Sequence, residues 1–275
     1  MFVFIVPIKS AQVSNSWSQV CKLFERTLRS ICQQTNQNFK VICVCHEKPE
    51  IDFIHPCVSY LQVDFPIPYW NKKNFVRSEN HNQCVDKGRK MWLGLAEAKN
   101  FNPSHIMFVD ADDCISNRIV EFVRQQDSDS NGWYCDQGYE YEEGKNTIFL
   151  RQQKFNQKCG TSYIFRFDLV FPQWIEFDAI TRDYQRHQMF GKYLAEKGTP
   201  LDPLPFPGSI YMTDNQENIW LQKSFFTQSD RPVKEQAKFI VGDFYKRIKS
   251  QKLSEDIKQE FGIMPLHDKV LQKTM

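Results

Sequence analysis

A short apolar run that ends in three carboxylates most constrains the fold of this chain. The run Ile106–Val109 leads directly into Asp110, Asp112 and Asp113. Four apolar residues are too few for a helix, and they indicate a strand that is buried on both faces of a sheet. Because ligands of α/β proteins gather beyond the carboxyl ends of such strands, we expect these acids to lie at a binding edge.

The spacing of the acids indicates a hard metal ion. Asp110 and Asp112 are two positions apart, so their side chains point the same way if the extended backbone continues. Carboxylate oxygens in this arrangement suit Mg²⁺ or Mn²⁺. In proteins such an ion usually carries phosphate groups as well. The sequence therefore predicts a metal and phosphate site at the end of this strand.

Acid clusters of this kind also occur in other sites. An EF-hand loop needs glycine at its sixth position, where this chain has Ile115, so a calcium loop is excluded. A phosphatase of the haloacid dehalogenase kind also places two such acids after a strand, although usually after an early one, and it stays open as a rival. A purely structural role, as a cap for the next helix, is acceptable for one acid of the three.

Composition narrows the class of protein. The chain has 275 residues, 41% of them hydrophobic, and a formal net charge of +2, which gives no field that favours nucleic acid. Its nine cysteines include no C-x-x-C pair, which argues against zinc and for reduced thiols in the cytoplasm. No stretch approaches the roughly 18 apolar residues of a membrane span.

Periodicity predicts a doubly wound first half. A strand at Phe2–Ile8 precedes a helix that opens at Ser16-x-x-Gln19, a capping-box pattern. Later strands and one helix are predicted at Phe39–Cys45, Val58–Val63, Asp86–Lys99 (the helix) and Ile106–Val109.

The pattern changes after a polar break at 127–132. Aromatic and polar residues then alternate from Trp133 to Tyr141, and a helix is predicted from about Asp183 to Lys197. The segment 232–261 is amphipathic, and we expect its apolar residues to pack inward. Those residues are Ala237, Ile240, Val241, Phe244 and Ile248.

The order of these elements resembles the family 2 glycosyltransferases of the GT-A fold. The resemblance covers roughly the first 125 residues and rests on Val6-Pro7-Ile8, on Gln33-Gln34-Thr35 and on the segment 108–113. It implies an α/β fold with a Rossmann-like mixed sheet flanked by helices. It also implies a domain over 1–230, with a nucleotide-sugar-binding half (1–125) and an acceptor half (126–230), followed by an amphipathic helical tail (231–275).

The resemblance also implies roles for residues of the first half. Asp110 and Asp112, with Ala111 between them, would bind Mn²⁺ or Mg²⁺ and the nucleotide sugar. Strand-end residues would hold the base and ribose. Lys87 would meet a phosphate as a point charge, although it also suits an exposed ion pair at the start of a helix. These further nucleotide-binding candidates are Pro7, Ile8, Lys9, Glu47 and Asp86. The family's acid pair after the second strand is replaced here by Cys45-His46-Glu47.

In the second half the resemblance implies a base and an acceptor platform. Asp183, with Asp178 in reserve, would accept the proton of the acceptor hydroxyl, although Asp183 also suits a helix N-cap. His187, one turn later on the same helical face, could complete the metal shell or touch the diphosphate, although a lone histidine on a helix is more often structural. Trp133 and Tyr139 could stack on sugar rings, although alternating aromatic residues also suit a core.

Together these features predict a cytoplasmic, metal-dependent, inverting glycosyltransferase. Its donor would be a nucleoside diphosphate sugar, a UDP-sugar first, and its acceptor a saccharide or a lipid-linked saccharide. The basic tail would either touch an anionic membrane or pack on the catalytic domain. A nucleotidyltransferase, the phosphatase and a non-catalytic carbohydrate-binding module are the alternatives.

Overall fold

The computed structural model describes residues 1–67, 80–127, 129–171, 190–217 and 233–266, with side chains except at 80–84 and 233–239. In chain order the strands are β1 (Phe2–Pro7), β2 (Phe39–Cys45), β3 (Val58–Gln62), β4 (His105–Phe108), β5 (Cys114–Ile115), β6 (Gly132–Tyr134), β7 (Gly138–Glu142), β8 (Thr147–Arg151), β9 (Tyr163–Arg166), β10 (Asp202–Pro203), β11 (Ser209–Thr213) and β12 (Gln251–Lys252). The α-helices are α1 (Trp17–Cys32), α2 (Asn80–Ala98), α3 (Ile119–Arg124), α4 (Phe167–Val170), α5 (Phe190–Glu196), α6 (Val233–Lys249) and α7 (Glu255–Phe261).

Seven strands form a mixed sheet in the order β10-β6-β9-β4-β1-β2-β3. Strands β4, β1, β2 and β3 are parallel neighbours, so their carboxyl ends lie on one edge. Strand β9 runs antiparallel to both β4 and β6. The predicted class, an α/β protein with a Rossmann-like mixed sheet flanked by helices, is confirmed.

Helices cover both faces of this sheet. On one face α1 buries Phe24, Leu28 and Ile31. On the other, α2 buries Met91 and Leu95. The strand residues between them alternate between these two cores, which explains why β1 is buried along its whole length. The sheet is held rigidly from both sides, and this fixes the edge at which the acids emerge.

A second sheet, in the order β12-β8-β7-β11-β5, joins the first just after the acid cluster. Strand β5 follows the acids directly, and β11 pairs with it antiparallel, Ile210 facing Cys114. Strand β11 also pairs parallel with β7. The end of β11 therefore lies at the carboxyl edge of the first sheet, about 100 residues after the acid cluster in sequence.

Local predictions hold for most elements, with shifted ends. Ser16 caps α1 and its hydroxyl accepts from the Gln19 N–H, as predicted. Helix α2 begins at Asn80, earlier than predicted, and ends at Ala98 before a 3₁₀ turn. Strands β6, β9 and β10, from beyond residue 125, complete the first sheet, so the two predicted halves share one sheet.

The tail departs from its predicted packing. Strand β12 adds to the second sheet, and α7 buries Phe261 against it. The expected inward face of α6 is exposed instead: Ile240, Val241, Phe244 and Ile248 are 63 to 67% accessible. No other described element covers these four side chains, so the inward prediction is wrong for them, while the side chain of Ala237 lies outside the described part. No helix in the described ranges is long and apolar enough to cross a lipid bilayer.

Candidate functional site

Charged side chains converge where β1, β2 and β4 end. Lys9 follows β1, Glu47 follows β2, and Asp110 follows β4. Helix α2 runs beside this edge and places Lys87 against Asp110, whose Oδ1 accepts a hydrogen bond from Lys87 Nζ. The predicted nucleotide-binding candidates of the first half therefore lie along one edge of the sheet.

Asp110 and Asp112 are each held by a residue from elsewhere in the chain. The Asp110 N–H donates to Thr161 Oγ1 at 2.9 Å. Asp112 Oδ2 accepts from Asn215 Nδ2 at 2.8 Å. Ala111 is half-buried between the two acids. Thr161, from the loop before β9, and Asn215, from the turn after β11, thus fix the geometry of the acid cluster.

Asp113 has a different role from its neighbours. It is 1% exposed, and three donors point at its carboxylate. Thr161 Oγ1 and Cys159 Sγ donate to Oδ2 at 2.7 and 3.2 Å, and Met212 N donates to Oδ1 at 3.1 Å. Asp113 therefore ties β11 and the loop before β9 to the end of β4, which is a structural role.

The electrostatics of the cluster favour a cation. Burial raises the pKa of Asp112, and repulsion from Asp110 raises it further, while Asn215 and Lys87 act in the opposite direction. A bound cation would stabilise both carboxylates. Within the described ranges no group of three or more His, Cys, Asp or Glu side chains is placed to hold a metal. The two carboxylates suit a Mg²⁺- or Mn²⁺-type ion that takes its other ligands from phosphate and water.

The turn after β11, residues 214–217, is the part of the site that the sequence did not reveal. Asp214 and Gln216 both have positive φ, 59° and 68°, which are conformations that such residues rarely adopt. Between them, Asn215 Oδ1 accepts from the N–H of Glu217 at 3.0 Å, which orients its amide toward Asp112. The one available signal was a wholly polar segment directly after an apolar strand.

Glu217 binds the start of the chain to this turn. Its carboxylate accepts from Lys9 Nζ at 2.7 Å and from the N–H groups of Asn15 and Ser16 at 3.1 and 2.6 Å. It is 7% exposed. A carboxylate next to the amino end of α1 also interacts favourably with the helix dipole. Glu217 therefore positions Lys9 and α1 with respect to Asn215.

The loop after β1 is closed by its own hydrogen bonds. Glu47 accepts from Ser10 Oγ at 2.9 Å and from the Ala11 N–H at 3.1 Å. The next three N–H groups, of residues 12–14, donate to Ser10 Oγ, Ser10 O and Ala11 O. Glu47 thus organises this loop, and the N–H groups of 11–14 are already used within it.

A buried lysine, which the sequence did not single out, supports the same edge. Lys90 is fully buried, and its Nζ donates to Ile8 O at 2.7 Å and to Asp86 Oδ2 at 2.8 Å. His46 Nε2 lies 2.9 Å from Phe65 O and donates to it. His46 Nδ1 and Asp86 Oδ1 are 3.9 Å apart, buried, and have no hydrogen-bond partner among the described residues.

The other predicted site residues lie away from the acid cluster, are buried, or fall outside the described residues. Pro7 and Ile8 are buried, and the Ile8 carbonyl is used by Lys90. Trp133 is 5% exposed and packs against His105 and Phe122, so its ring offers no face to a sugar and the acceptor role does not suit it. Tyr139 lies in the second sheet, edge-on to Phe261 at 5.6 Å.

The predicted Asp178, Asp183 and His187 lie outside the described residues.

This geometry defines the class: an α/β protein with a carboxylate and lysine site at the carboxyl edge of its parallel strands. No protein-family model matches the chain, and no curated protein matches it. Among solved structures it is similar to TarS of S. aureus in complex with UDP, at 14% identity and a TM-score of 0.43 over 88% of this chain and 79% of that one.

It is also similar to the 2-C-methyl-D-erythritol 4-phosphate cytidylyltransferase (IspD) of Francisella tularensis. That match has 11% identity and a TM-score of 0.42, over 82% of this chain and 95% of that one. Because the identities and TM-scores are this low, neither similarity carries a functional inference. The function has to come from the site.

Proposed function

We propose that this protein is a metal-dependent glycosyltransferase of the GT-A type, related to family 2. It would move a sugar from a nucleoside diphosphate sugar, a UDP-sugar first, to a hydroxyl of a saccharide or a lipid-linked saccharide. The observation that carries the proposal is the convergence of Lys9, Lys87, Asp110 and Asp112 at the carboxyl edge of the parallel strands. Paired carboxylates flanked by lysines suit a diphosphate with its counter-ion.

The chain's own residues would divide the work of donor binding. Asp110 and Asp112 would hold Mn²⁺ or Mg²⁺, which supplies positive charge beside the diphosphate. Lys87 and Lys9, whose side chains are 28 and 22% exposed, would meet phosphate oxygens. Asp86 and Glu47 would lie beside the base and ribose, and Glu47 would keep the loop after β1 in place for them.

The proposed reaction is a single displacement with inversion. The acceptor oxygen forms a bond to the anomeric carbon while the bond from that carbon to the diphosphate breaks, and the diphosphate leaves with the electron pair. The hydroxyl proton passes to a carboxylate base, for which Asp183 is proposed and Asp178 is the alternative. His187 is proposed as a further metal ligand.

The loop after β1 argues against the nucleotidyltransferase alternative. A nucleotidyltransferase would use free backbone N–H groups after the first strand to cradle a triphosphate. In this chain the N–H groups of 11–14 donate to Glu47, Ser10 and Ala11. The carboxylates after β4 are then the better site for the phosphates.

The proposal is tested by calorimetric titration with uridine, guanosine, cytidine and thymidine diphosphates, each with Mn²⁺ and with chelator. We expect micromolar binding of one of them, uridine diphosphate first, that chelator abolishes. Asp112→Asn should remove the metal-dependent part. Asp168→Asn is the matched control, since the side chain of Asp168 is 69% exposed and pairs with Arg166 away from the acid cluster.

Turnover is tested separately by following hydrolysis of the donor sugar nucleotide. Release of nucleoside diphosphate in the wild type, and its loss in Asp183→Asn, would support the transferase chemistry. Binding without turnover would favour a non-catalytic carbohydrate-binding module. Release of pyrophosphate from a nucleoside triphosphate would instead support the nucleotidyltransferase, and a phosphate ester cleaved by this site would support the phosphatase.

A further inference from the structure

Helix α6 carries an apolar face that the rest of the described chain leaves uncovered. Five of the nine exposed large apolar side chains among the described residues belong to this helix. They are Ile240, Val241, Phe244, Tyr245 and Ile248, each 55 to 67% accessible. A contiguous patch of this kind marks an interaction surface, whereas single exposed apolar residues are normal.

These five residues form one stripe. They follow the spacing i, i+1, i+4, i+5 and i+8, which at about 100° per residue keeps them within roughly 140° of the helix circumference. Lys246, about 100° beyond Tyr245 on the helix circumference, docks α6 on the protein, because its Nζ donates to Glu140 Oε2. Tyr245, at the edge of the stripe, has its ring 6.2 Å from that of Phe149 in β8. The helix is therefore held with the other four residues of the stripe turned away from the second sheet.

Basic residues border the stripe. Arg247 falls about 20° beyond Ile240 on one side, and Lys249 about 40° beyond Tyr245 on the other. Both are exposed at the helix end, where the last turn holds Lys246, Arg247 and Lys249. Along 233–249 five basic residues stand against two acidic ones. Asp243 pairs with Arg247 at 2.9 Å and is the one acid in the described part of the border.

We propose that α6 docks this protein on an anionic lipid surface, lying in the plane of the headgroups. The stripe would enter the boundary of the acyl chains, while Arg247 and Lys249 would extend to anionic headgroups on either side. An apolar stripe with cations on both borders matches such a surface, whereas a second copy of this chain would bring equal positive charge against it. This surface does not depend on the proposed transferase chemistry.

The test is co-sedimentation of the full chain with vesicles of phosphatidylcholine alone and with added phosphatidylglycerol. We expect binding to the anionic vesicles, at least about tenfold weaker binding to the neutral ones, and weakening as salt is raised. The double variant Phe244→Glu/Ile248→Glu should bind the anionic vesicles about 100-fold more weakly. Ile54→Glu is the matched control because Ile54 is 91% exposed and lies outside α6, and it should bind like the wild type.

A second variant separates the charges from the apolar contact. Arg247→Gln/Lys249→Gln should lose about tenfold in affinity for the anionic vesicles and keep its weak binding to neutral ones. Circular dichroism and the unfolding midpoint show whether each variant is folded. The proposal is overturned if the folded wild-type protein does not bind anionic vesicles, or if the double glutamate variant binds them as tightly as the wild type. It is also overturned if sedimentation velocity shows a dimer that the two glutamates dissociate.

Discussion

Asn215 donates a hydrogen bond from Nδ2 to Oδ2 of Asp112 across 2.8 Å, although the two residues are 103 positions apart in sequence. Oδ1 of the same amide accepts a hydrogen bond from the Glu217 N–H. Because the amide is fixed at both ends, one oxygen of Asp112 is oriented before any ligand arrives. Preorganised carboxylates bind a metal more tightly than freely rotating ones.

Removing this amide should weaken the site without unfolding it. We expect Asn215→Ala to raise the Kd of the metal-dependent nucleotide complex by about 10- to 100-fold, the usual range for residues that orient a metal ligand. Asn100→Ala is the control, since Asn100 pairs with Glu97 on an exposed helix end. Calorimetry with Mn²⁺ and uridine diphosphate measures both, and equal Kd values would exclude the positioning role.

Truncation of Asp113 should lower the stability of the protein, whereas truncation of Asp110 should lower its affinity for nucleotide. Asp113→Ala removes the buried carboxylate that accepts from Thr161, Cys159 and Met212, and it should cost about 3 kcal/mol of unfolding free energy. Asp110→Ala breaks a partly exposed pair with Lys87 and should cost less than about 1 kcal/mol while removing nucleotide affinity. Urea unfolding and calorimetry on both variants test this division, and a strongly destabilised Asp110→Ala would contradict it.

Lys90 should be essential for stability through Asp86. Lys90→Met leaves the Asp86 carboxylate and the Ile8 carbonyl without their shared donor, and we expect a loss of about 3–5 kcal/mol. Adding Asp86→Asn should restore part of that loss, since the uncompensated charge is then gone. Lys192→Met, which breaks an exposed pair with Glu196, should stay within about 0.5 kcal/mol. If the double variant recovers none of the unfolding free energy, the unpaired charge of Asp86 is not the cause of the loss.

Two helical glycines should respond oppositely to alanine. A Cβ on Gly94 would lie 2.4 Å from Ile5 Cγ2, so Gly94→Ala must push α2 away from β1 and destabilise the protein. A Cβ on Gly242 would meet nothing within 4 Å. There the change should stabilise α6 by about 1 kcal/mol through helix propensity alone. Thermal unfolding of the two variants compares them directly, and a destabilised Gly242→Ala would contradict the expectation.

His105 should make the protein less stable in mild acid. Burial lowers its pKa below the ordinary 6.5, although a hydrogen bond to Ser130 O acts in the other direction. In this pH range His105 binds a proton in the unfolded chain but stays neutral in the folded chain. The unfolding free energy therefore falls as pH drops below about 6.5 toward the folded pKa. His105→Gln keeps a donor and should flatten this slope. Urea unfolding from about pH 7 to about pH 5 measures it, and equal slopes would exclude His105 as the source.

The sequence predicts those parts of the molecule that local spacing controls. The strand before Asp110, the cap at Ser16 and the buried face of α1 follow from patterns within a few residues, and each is present. The parallel arrangement follows because a strand, a helix and a strand in succession have few ways to pack. These rules bring Lys9, Glu47 and Asp110 to one edge.

Residues that act across long separations were not accessible in the same way. Glu217 meets Lys9 across 208 positions, and no local pattern encodes that distance. A lysine on a helix is ordinarily expected to be exposed. Lys90 is buried instead, because two acceptors, Ile8 O and Asp86 Oδ2, compensate the cost of burying its charge. Periodicity gave α6 an apolar face correctly, but it cannot say whether any surface covers that face.

The hydrogen bonds that Glu217 accepts from Asn15 and Ser16 can form only late in synthesis on the ribosome. The strands and helices that carry Lys9 and the acids are synthesised first, and they leave the exit tunnel well before residue 217 exists. Until then the amino end of α1 lacks its carboxylate partner and Asp112 lacks its amide. The nascent chain therefore has most of the first sheet but an unfinished site until the turn after β11 has itself left the exit tunnel.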